Sequence, residues 1–310
     1  MSATTAPPVE VPRLLAGIAI TLLGVFVFAL SNALAKWLSH GYPVGEILFV
    51  RSVVVLAILA FFITRDDLRA LRQGGQFALH ASRALLSAVE VVAFYWAIVE
   101  LPLAFGTTIY LAAPIYVTAL AAIFLREEVG WRRWLAVLAG FAGVLVALQP
   151  GAIPVGIHAL VSVAGSLMYA ASLVITRRLR GTPTTLLVAA QVVPLLLITA
   201  ASAWPLAQPT SLVGGWVMPG WRDAAILCAV GVLSMVGYLS INRGIQLAPA
   251  SVITPFNYSS ILWAIILGFL VFAEVPTTAM LAGAAIIVAA GLYIVLREHV
   301  RGLARPPSVV

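Results

Sequence analysis

The chain has 310 residues, of which 62% are apolar and only 9% carry a charge, and its mean hydropathy is +1.08. Soluble domains carry about 25% charged residues, so a soluble globular protein is excluded, and we predict an integral membrane protein. The formal net charge of +7 does not indicate nucleic-acid binding, because the basic residues form no single patch along the sequence.

The N-terminus and the cysteine content narrow the class further. A single cysteine, Cys228, excludes an intramolecular disulfide and a cysteine metal cluster. The first residues lack the positive region of a secretory signal. The apolar run after Arg13 also exceeds the roughly 7–15 residues of a signal's hydrophobic core. We therefore expect that run to remain in the mature protein as its first membrane helix.

Ten apolar segments meet or approach the roughly 20 residues that a helix needs to cross a bilayer. Breaks rich in glycine and proline separate them, as at Gly41-Tyr42-Pro43. An all-α membrane fold with no soluble domain is therefore predicted. The predicted spans are 14–37, 44–64, 83–99, 104–125, 134–149, 155–177, 184–204, 223–244, 250–272 and 278–296.

Lysine and arginine are distributed unevenly between the two ends of these spans. Most of the 18 basic residues fall at the ends that share a side with the N-terminus. Because basic loops stay in the cytoplasm, we expect both termini to be cytoplasmic. Residues 1–12 form a flexible N-terminus and residues 298–310 a cytoplasmic tail in this prediction.

A pattern in the fourth span recurs in the ninth. Residues 100–128 and 246–274 each begin with a short leucine/proline segment, continue as an apolar run interrupted by one proline, and end at an acid. We predict two repeats, 13–150 and 151–297, of five spans each. Because five is odd, the second repeat is inverted in the membrane. A proline-interrupted helix recurring in inverted repeats indicates a central transport site.

Three stretches carry a resemblance to a known family. They are Glu128-Val-Gly-Trp through Gly140-Phe-Ala-Gly143, Glu274-Val-Pro-Thr through Gly291, and Arg51 after Glu46-Ile-Leu-Phe-Val. The chain resembles the ten-helix EamA branch of the drug/metabolite transporter superfamily over nearly its whole length. The resemblance implies one central cavity between the halves, lined mainly by the first, third, fourth, sixth, eighth and ninth helices, and export of small metabolites. Overall, the chain is similar to bacterial exporters of aromatic and neutral amino acids.

Glu90 is the one acid well inside a span, where a charge costs roughly 2.5–3.5 kcal/mol. Arg51 lies at a similar depth in the second span, so an ion pair between neighbouring helices is predicted. Two interpretations stay open. The pair is structural, or Glu90 couples protons or binds substrate.

Mildly polar side chains form stripes on several other spans. Proline in the fourth and ninth spans also frees backbone carbonyls that suit a wet cavity. With few charges, such a cavity fits a small neutral or zwitterionic solute, whereas the alternative is simple helix packing through small residues. Gly140 and Gly143 are interpreted as a packing seam of the latter kind, within one chain or between two. The candidate substrate-binding residues are Asn32, Glu90, Tyr110, Pro114, Tyr169, Tyr238, Asn242, Thr254, Asn257 and Tyr258.

The sequence as a whole predicts a secondary transporter of a bacterial cytoplasmic (inner) membrane. We expect it to export small organic solutes, amino acids foremost, by alternating access, as a monomer or homodimer surrounded by lipid. No catalytic residue, metal site or cofactor is predicted, because no hydrolytic or phosphate-binding motif occurs. The alternatives are a multidrug or other metabolite exporter of the same fold, and, from another class, a membrane-embedded enzyme or passive channel.

Overall fold

The computed structural model describes residues 11–39, 41–65, 67, 76–100, 110–127, 129–148, 156–202, 216–272 and 275–303. Within these residues the regular structure is entirely helical, in ten helices. They are α1 (Val11–Leu38), α2 (Val44–Leu59), α3 (Phe77–Glu100), α4 (Ala113–Phe124), α5 (Trp131–Leu148), α6 (Ile157–Arg178), α7 (Thr184–Ser202), α8 (Trp221–Leu247), α9 (Ala250–Ile253, a 3-10 turn Thr254–Tyr258, and Ser259–Phe272) and α10 (Thr278–Leu303).

The ten predicted spans correspond one to one with these helices, which confirms the all-helical membrane fold. Within the described ranges, six helices are long and apolar enough to cross a bilayer, and these are α1, α3, α6, α7, α8 and α9. The segment 101–109 of the predicted fourth span, both repeat-closing acids Glu128 and Glu274, and most of the two predicted tails lie outside the described residues.

Proline interrupts the helices at the two predicted places. In α9 the α-helical part ends at Ile253, and Pro255 lies in a 3-10 turn before the helix resumes at Ser259. The α4 helix begins at Ala113 with Pro114 in its first turn. A proline fits there because it lacks only a backbone donor that the first turn leaves unpaired.

The two halves of the chain interleave. The four most extensive helix pairs are α1 with α8, α5 with α10, α3 with α6, and α2 with α7. Helices five places apart in the chain, such as α1 and α6, take equivalent positions in this packing. Exchanging every helix for its equivalent turns the α1–α8 pair into the α6–α3 pair and leaves the α2–α7 and α5–α10 pairs unchanged. The contacts of α4 with α6 and of α9 with α1 exchange in the same way. The packing therefore has two-fold pseudo-symmetry.

Glycine lets α1 and α8 approach closely and run antiparallel. A Cβ on Gly244 would overlap the hydroxyl of Thr21 and lie 2.9 Å from the carbonyl oxygen of Gly17. Farther along the same interface, a Cβ on Gly24 would lie 2.7 Å from Cβ of Ser240. Small residues at such interfaces allow the backbone contact that drives helix association in lipid. We call the end of the bundle at which α1 begins the N-terminal face.

The predicted seam on α5 is confirmed as a contact within the chain. A Cβ on Gly143 would lie 2.9 Å from the carbonyl oxygen of Gly283 in α10. A Cβ on Gly140 would lie 2.6 Å from the ring of Tyr258. The space beside these two glycines is therefore filled by α9 and α10 of the same molecule.

Replacing Gly244 by alanine tests the α1–α8 seam. The added methyl group meets a backbone carbonyl that cannot move without α1, and overpacking of this kind costs about 1–3 kcal/mol. We expect Gly244→Ala to lower the melting temperature of the protein in detergent. Gly181→Ala is the matched control, because a Cβ there meets nothing within 4 Å. Equal melting temperatures for the two variants would contradict this packing.

Candidate functional site

Six polar side chains from six helical segments meet between the halves. Three come from the first half and three from the second, and their helices are brought together by the contacts of α6 with α3, α4 and α8 and of α8 with α2. We call this group the central cluster. Its members are Arg51, Glu90, Tyr110, Tyr169, Tyr238 and Asn257.

Arg51 is buried and is held by Tyr238. Its Nη2 donates a hydrogen bond to the Tyr238 hydroxyl over 2.8 Å, and its guanidinium carbon lies 5.5 Å from the centre of the same ring. Phe28 packs edge-on against that ring, with 5.1 Å between ring centres. A cation over an aromatic face is attracted by the ring quadrupole, so Tyr238 stabilises the buried charge in two ways.

Glu90 and Tyr110 are joined through the backbone. The Tyr110 hydroxyl donates to the carbonyl oxygen of Glu90 over 2.8 Å, and a glycine at position 165 leaves room for that hydroxyl. Glu90 is half-buried as a residue, and its carboxyl interacts electrostatically with Arg51, Tyr110 and Tyr169. It is thus the acid of the cluster and Arg51 its cation.

Asn257 retains hydrogen-bonding capacity. Its side chain hydrogen-bonds the Tyr169 hydroxyl, while its Oδ1 is buried without a partner among the described residues. The amide nitrogen is therefore the group bonded to Tyr169, and the amide oxygen remains an unused acceptor. The 3-10 turn of α9 places this amide beside α6.

The predicted pairing of Arg51 with Glu90 takes a different form. Their helices were expected to be neighbours, but α2 packs against α7 and α8, whereas α3 packs against α6 and α7. Arg51 therefore directs its hydrogen bond to Tyr238, and Glu90 interacts with its charge electrostatically. In the cluster, Arg51 thus contacts Tyr238, whereas Glu90 interacts with Tyr110 and Tyr169.

Four of the predicted site residues lie apart from the cluster. Asn32 is exposed on α1, and Pro114 is buried at the start of α4. The Thr254 hydroxyl donates to the carbonyl four residues earlier in α9 over 2.9 Å. The Tyr258 hydroxyl donates to a backbone carbonyl of α5 over 3.3 Å. The last two side chains are thus used in packing and local hydrogen bonding.

Asn242, the remaining predicted residue, belongs to a second polar group centred on Arg83. The Arg83 side chain is only 2% exposed, and all its hydrogen bonds in the described structure go to neutral acceptors. It donates to Thr176 Oγ1 (2.6 Å), the Leu187 carbonyl (2.9 Å), Gln191 Oε1 (2.9 Å) and Asn242 Oδ1 (2.5 Å).

Sequence reasoning missed this arginine because it placed the start of the third span at residue 83. The helix begins two turns earlier, at Phe77, and this puts Arg83 inside the bundle. One signal was present in the sequence. Arg83 precedes Glu90 by seven residues, so both lie on one face of α3.

Glu127 closes the start of α9. Its carboxylate accepts from the backbone N–H groups of Ala250 (3.0 Å) and Ser251 (3.2 Å) and from the Ser251 hydroxyl (2.5 Å). Arg133 donates to the same hydroxyl over 2.8 Å. An anion at a helix N-terminus is stabilised by the unpaired N–H groups and the helix dipole. This contact ties the first half to the second at the N-terminal face.

Other polar contacts join the halves at the opposite face. The Tyr42 hydroxyl donates to Asp223 Oδ2 over 2.7 Å, and Glu46 accepts from the Val217 N–H over 3.0 Å. Because its proton is shared with the Asp223 carboxylate, the pKa of Tyr42 is raised. Both ends of the bundle are therefore fastened between halves in this conformation.

The described structure is thus an all-helical, multi-pass membrane protein whose interleaved halves enclose an acid, a cation and three tyrosines, and ionisable groups inside a membrane protein commonly mark a solute pathway. The profile of the EamA-like transporter family matches residues 15–149 and, a second time, residues 156–297. The chain belongs to this family. It is a secondary transporter of small metabolites and is not an enzyme.

Individual relatives align with this chain over most of their length. A riboflavin transporter of Vibrio cholerae is 27% identical over 84% of this chain and 86% of the relative. A riboflavin transporter of Rhizobium johnstonii is 28% identical over 95% of both chains. A pseudopaline exporter of Pseudomonas aeruginosa is 26% identical over 88% of this chain and 94% of the relative. A solved crystal structure shares the fold, with a TM-score of 0.74 over 93% of this chain and 99% of that chain, at 17% identity.

Replacing Tyr238 by phenylalanine tests the geometry of the cluster. The substitution removes the acceptor of a buried cation, and an unsatisfied buried donor costs about 1–3 kcal/mol. We expect Tyr238→Phe to lower the melting temperature in detergent. Tyr293→Phe, at an exposed position on α10, should leave it unchanged. A melting temperature of Tyr238→Phe equal to that of the parent would contradict the Arg51–Tyr238 contact.

Proposed function

We propose that this protein carries a small polar metabolite with a planar aromatic ring system across the membrane by alternating access, and that the solute is riboflavin or a close analogue. The observation that supports this best is the central cluster. It combines three tyrosines, an amide with an unused acceptor, a cation and an acid between two halves related by pseudo-symmetry.

The chemistry of riboflavin matches these groups. Its flat ring system is uncharged at neutral pH and presents one N–H donor between two carbonyl acceptors at one end, with a polyhydroxyl chain attached to the central ring. The unused Oδ1 of Asn257 can accept from the ring N–H. Tyrosine rings offer apolar faces and their hydroxyls pair with polar edges. Two of the relatives are riboflavin transporters, which supports the same choice.

Amino acids remain the second candidate because of one feature of the cluster. The acid Glu90 and the cation Arg51 belong to the same cluster and could pair with the ammonium and carboxylate groups of a zwitterion. The comparisons do not support amino acids specifically. A hydrophobic cation, the substrate of a multidrug exporter, would use Glu90 alone.

The sequence also supplies an orientation and a direction for this proposal. We propose that the N-terminal face is cytoplasmic, that the membrane is a bacterial inner membrane, and that residues 13–150 and 151–297 act as two inverted repeats. Export is the direction to test first, as predicted from the sequence and supported by an exporter among the relatives. We propose that the working unit is either one chain or a pair of chains, and the oligomeric state of the purified, reconstituted protein distinguishes the two.

Counterflow in liposomes tests the substrate. Purified protein is reconstituted in vesicles preloaded with unlabelled riboflavin, and uptake of a trace of labelled riboflavin is followed. We expect saturable uptake that requires the preload. We expect Asn257→Ala to lower it at least tenfold, because the ring N–H loses its acceptor. Asn32→Ala, a matched change at an exposed position, should behave like the parent.

Parallel vesicles loaded with neutral or aromatic amino acids distinguish the second candidate. Exchange of amino acids without exchange of riboflavin would overturn the flavin proposal and favour the zwitterion. Exchange of hydrophobic cations alone would favour the multidrug reading. Riboflavin exchange that is equal in Asn257→Ala and Asn32→Ala would remove Asn257 from the binding site.

We further propose that Glu90 couples transport to protons, because it is the acid of the central cluster. Glutamine keeps the shape of the side chain but cannot release a proton. We therefore expect Glu90→Gln to retain counterflow, which needs no net proton movement, and to lose accumulation driven by a pH gradient. Normal gradient-driven accumulation by Glu90→Gln would exclude this residue as the coupling group.

A further inference from the structure

The polar group around Arg83 lies directly beside the central cluster, towards the N-terminal face. Arg83 and Glu90 are seven residues apart on α3, and Thr176 and Tyr169 are seven apart on α6, which corresponds to about 10 Å of helix. On α8 the Asn242 amide nitrogen donates to the Tyr238 carbonyl one turn away, over 2.7 Å. We call Arg83, Thr176, Gln191 and Asn242 the Arg83 layer.

The layer is closed to solvent and joins the two halves. Its four side chains are between 0% and 8% exposed. Arg83 belongs to α3 in the first half, whereas its acceptors belong to α6, α7 and α8 in the second half. Opening the bundle between α3 and these helices would have to break all of these hydrogen bonds.

The acceptors of Arg83 are hydroxyl, amide and carbonyl oxygens. A guanidinium paired with a buried carboxylate would leave two uncompensated charges on separation, which is strongly unfavourable. Neutral acceptors are different, because water can replace them at the guanidinium once the layer is wet, and no second charge is left behind. The Arg83 layer is therefore a contact that can hold firmly when dry and separate when hydrated.

The pseudo-symmetry allows this layer to be compared with the related helix pair. The pair related to α3–α6 is α8–α1, where Ser31 meets Ser234 with 2.8 Å between hydroxyl oxygens and donates to the Val230 carbonyl over 3.1 Å. That contact contains no charge. The α3–α6 contact thus contains a buried charged residue that the related Ser31–Ser234 contact lacks.

We propose that the Arg83 layer is the gate of the carrier at the N-terminal face. It separates the central cluster from water at that face, and Arg83 exchanges its protein acceptors for water when the face opens. This inference deepens the proposed transport function and rests on it, because a gate has meaning only in a carrier that opens.

Thiol labelling tests the gate without a substrate. In a Cys228→Ser background, Ser87→Cys places a thiol on the face of α3 between Arg83 and Glu90, at a position 9% exposed. Ser82→Cys places one at an exposed position of the same helix, directly before Arg83 in the sequence. Both are treated with a membrane-impermeant maleimide in right-side-out and inside-out vesicles. The side on which Ser82→Cys reacts identifies the N-terminal face.

From that side we expect Ser87→Cys to react at least tenfold more slowly than Ser82→Cys. Adding Arg83→Gln should raise the rate at Ser87→Cys at least tenfold and leave the rate at Ser82→Cys unchanged. Arg83→Lys, which keeps the charge but loses the planar fork of donors, should give an intermediate rate.

Two results would overturn the proposal. One is a Ser87→Cys rate equal to that of Ser82→Cys with Arg83 intact, and the other is a slow Ser87→Cys rate that Arg83→Gln does not change. If Arg83→Gln does not fold, Thr176→Val and Gln191→Leu decide, since each removes one acceptor and should raise the Ser87→Cys rate. A protein that passes this test and fails riboflavin counterflow would keep its gate and lose only its proposed substrate.

Discussion

The largest helix contacts in the described bundle all cross from one half of the chain to the other. Lipid tails are as apolar as leucine, so helices in a membrane associate through close packing and hydrogen bonds rather than through the hydrophobic effect. Here the glycine-lined approach of α1 to α8 and the bonds of Arg83 to α6, α7 and α8 supply both terms between halves. Neither half therefore has a core of its own, and a movement of one half against the other changes every major interface at once.

The same scarcity of water distinguishes a binding site from a closure. In hydrocarbon each polar group must find a partner within the protein. In the Arg83 layer each nitrogen of the guanidinium has a hydrogen-bond partner, whereas in the central cluster the Asn257 amide oxygen has none in the described structure. In the proposed carrier, Arg83 would hold the gate through bonds made within the protein, and Asn257 would keep an acceptor for the solute.

Much of the fold could be predicted because bilayer thickness limits the length of each span. Ten spans, a duplication and two proline interruptions follow from composition and periodicity alone. The site was only partly predictable, because residue type does not say which neighbour a side chain meets. Asn257 and Tyr258 are adjacent in the chain, yet one contacts Tyr169 of α6 and the other a carbonyl of α5. Arg83 was missed because a hydropathy pattern places a charged residue at the end of a span. Its burial depends on hydrogen-bond acceptors from three other helices, which the local sequence does not reveal.

The pairing of α1 with α8 also sets an order of events during synthesis. Ser31 hydrogen-bonds Ser234, which lies 203 residues later in the chain. At about 5–20 residues per second, the ribosome needs roughly ten to forty seconds to synthesise that length. During that interval α1 stands in the bilayer without its principal partner. Its apolar length allows this, and the Thr21 hydroxyl is already bonded to the carbonyl of Gly17 in its own helix over 2.8 Å. Although α1 is the earliest of the ten helices in the chain, it thus gains its principal partner only once α8 has been synthesised.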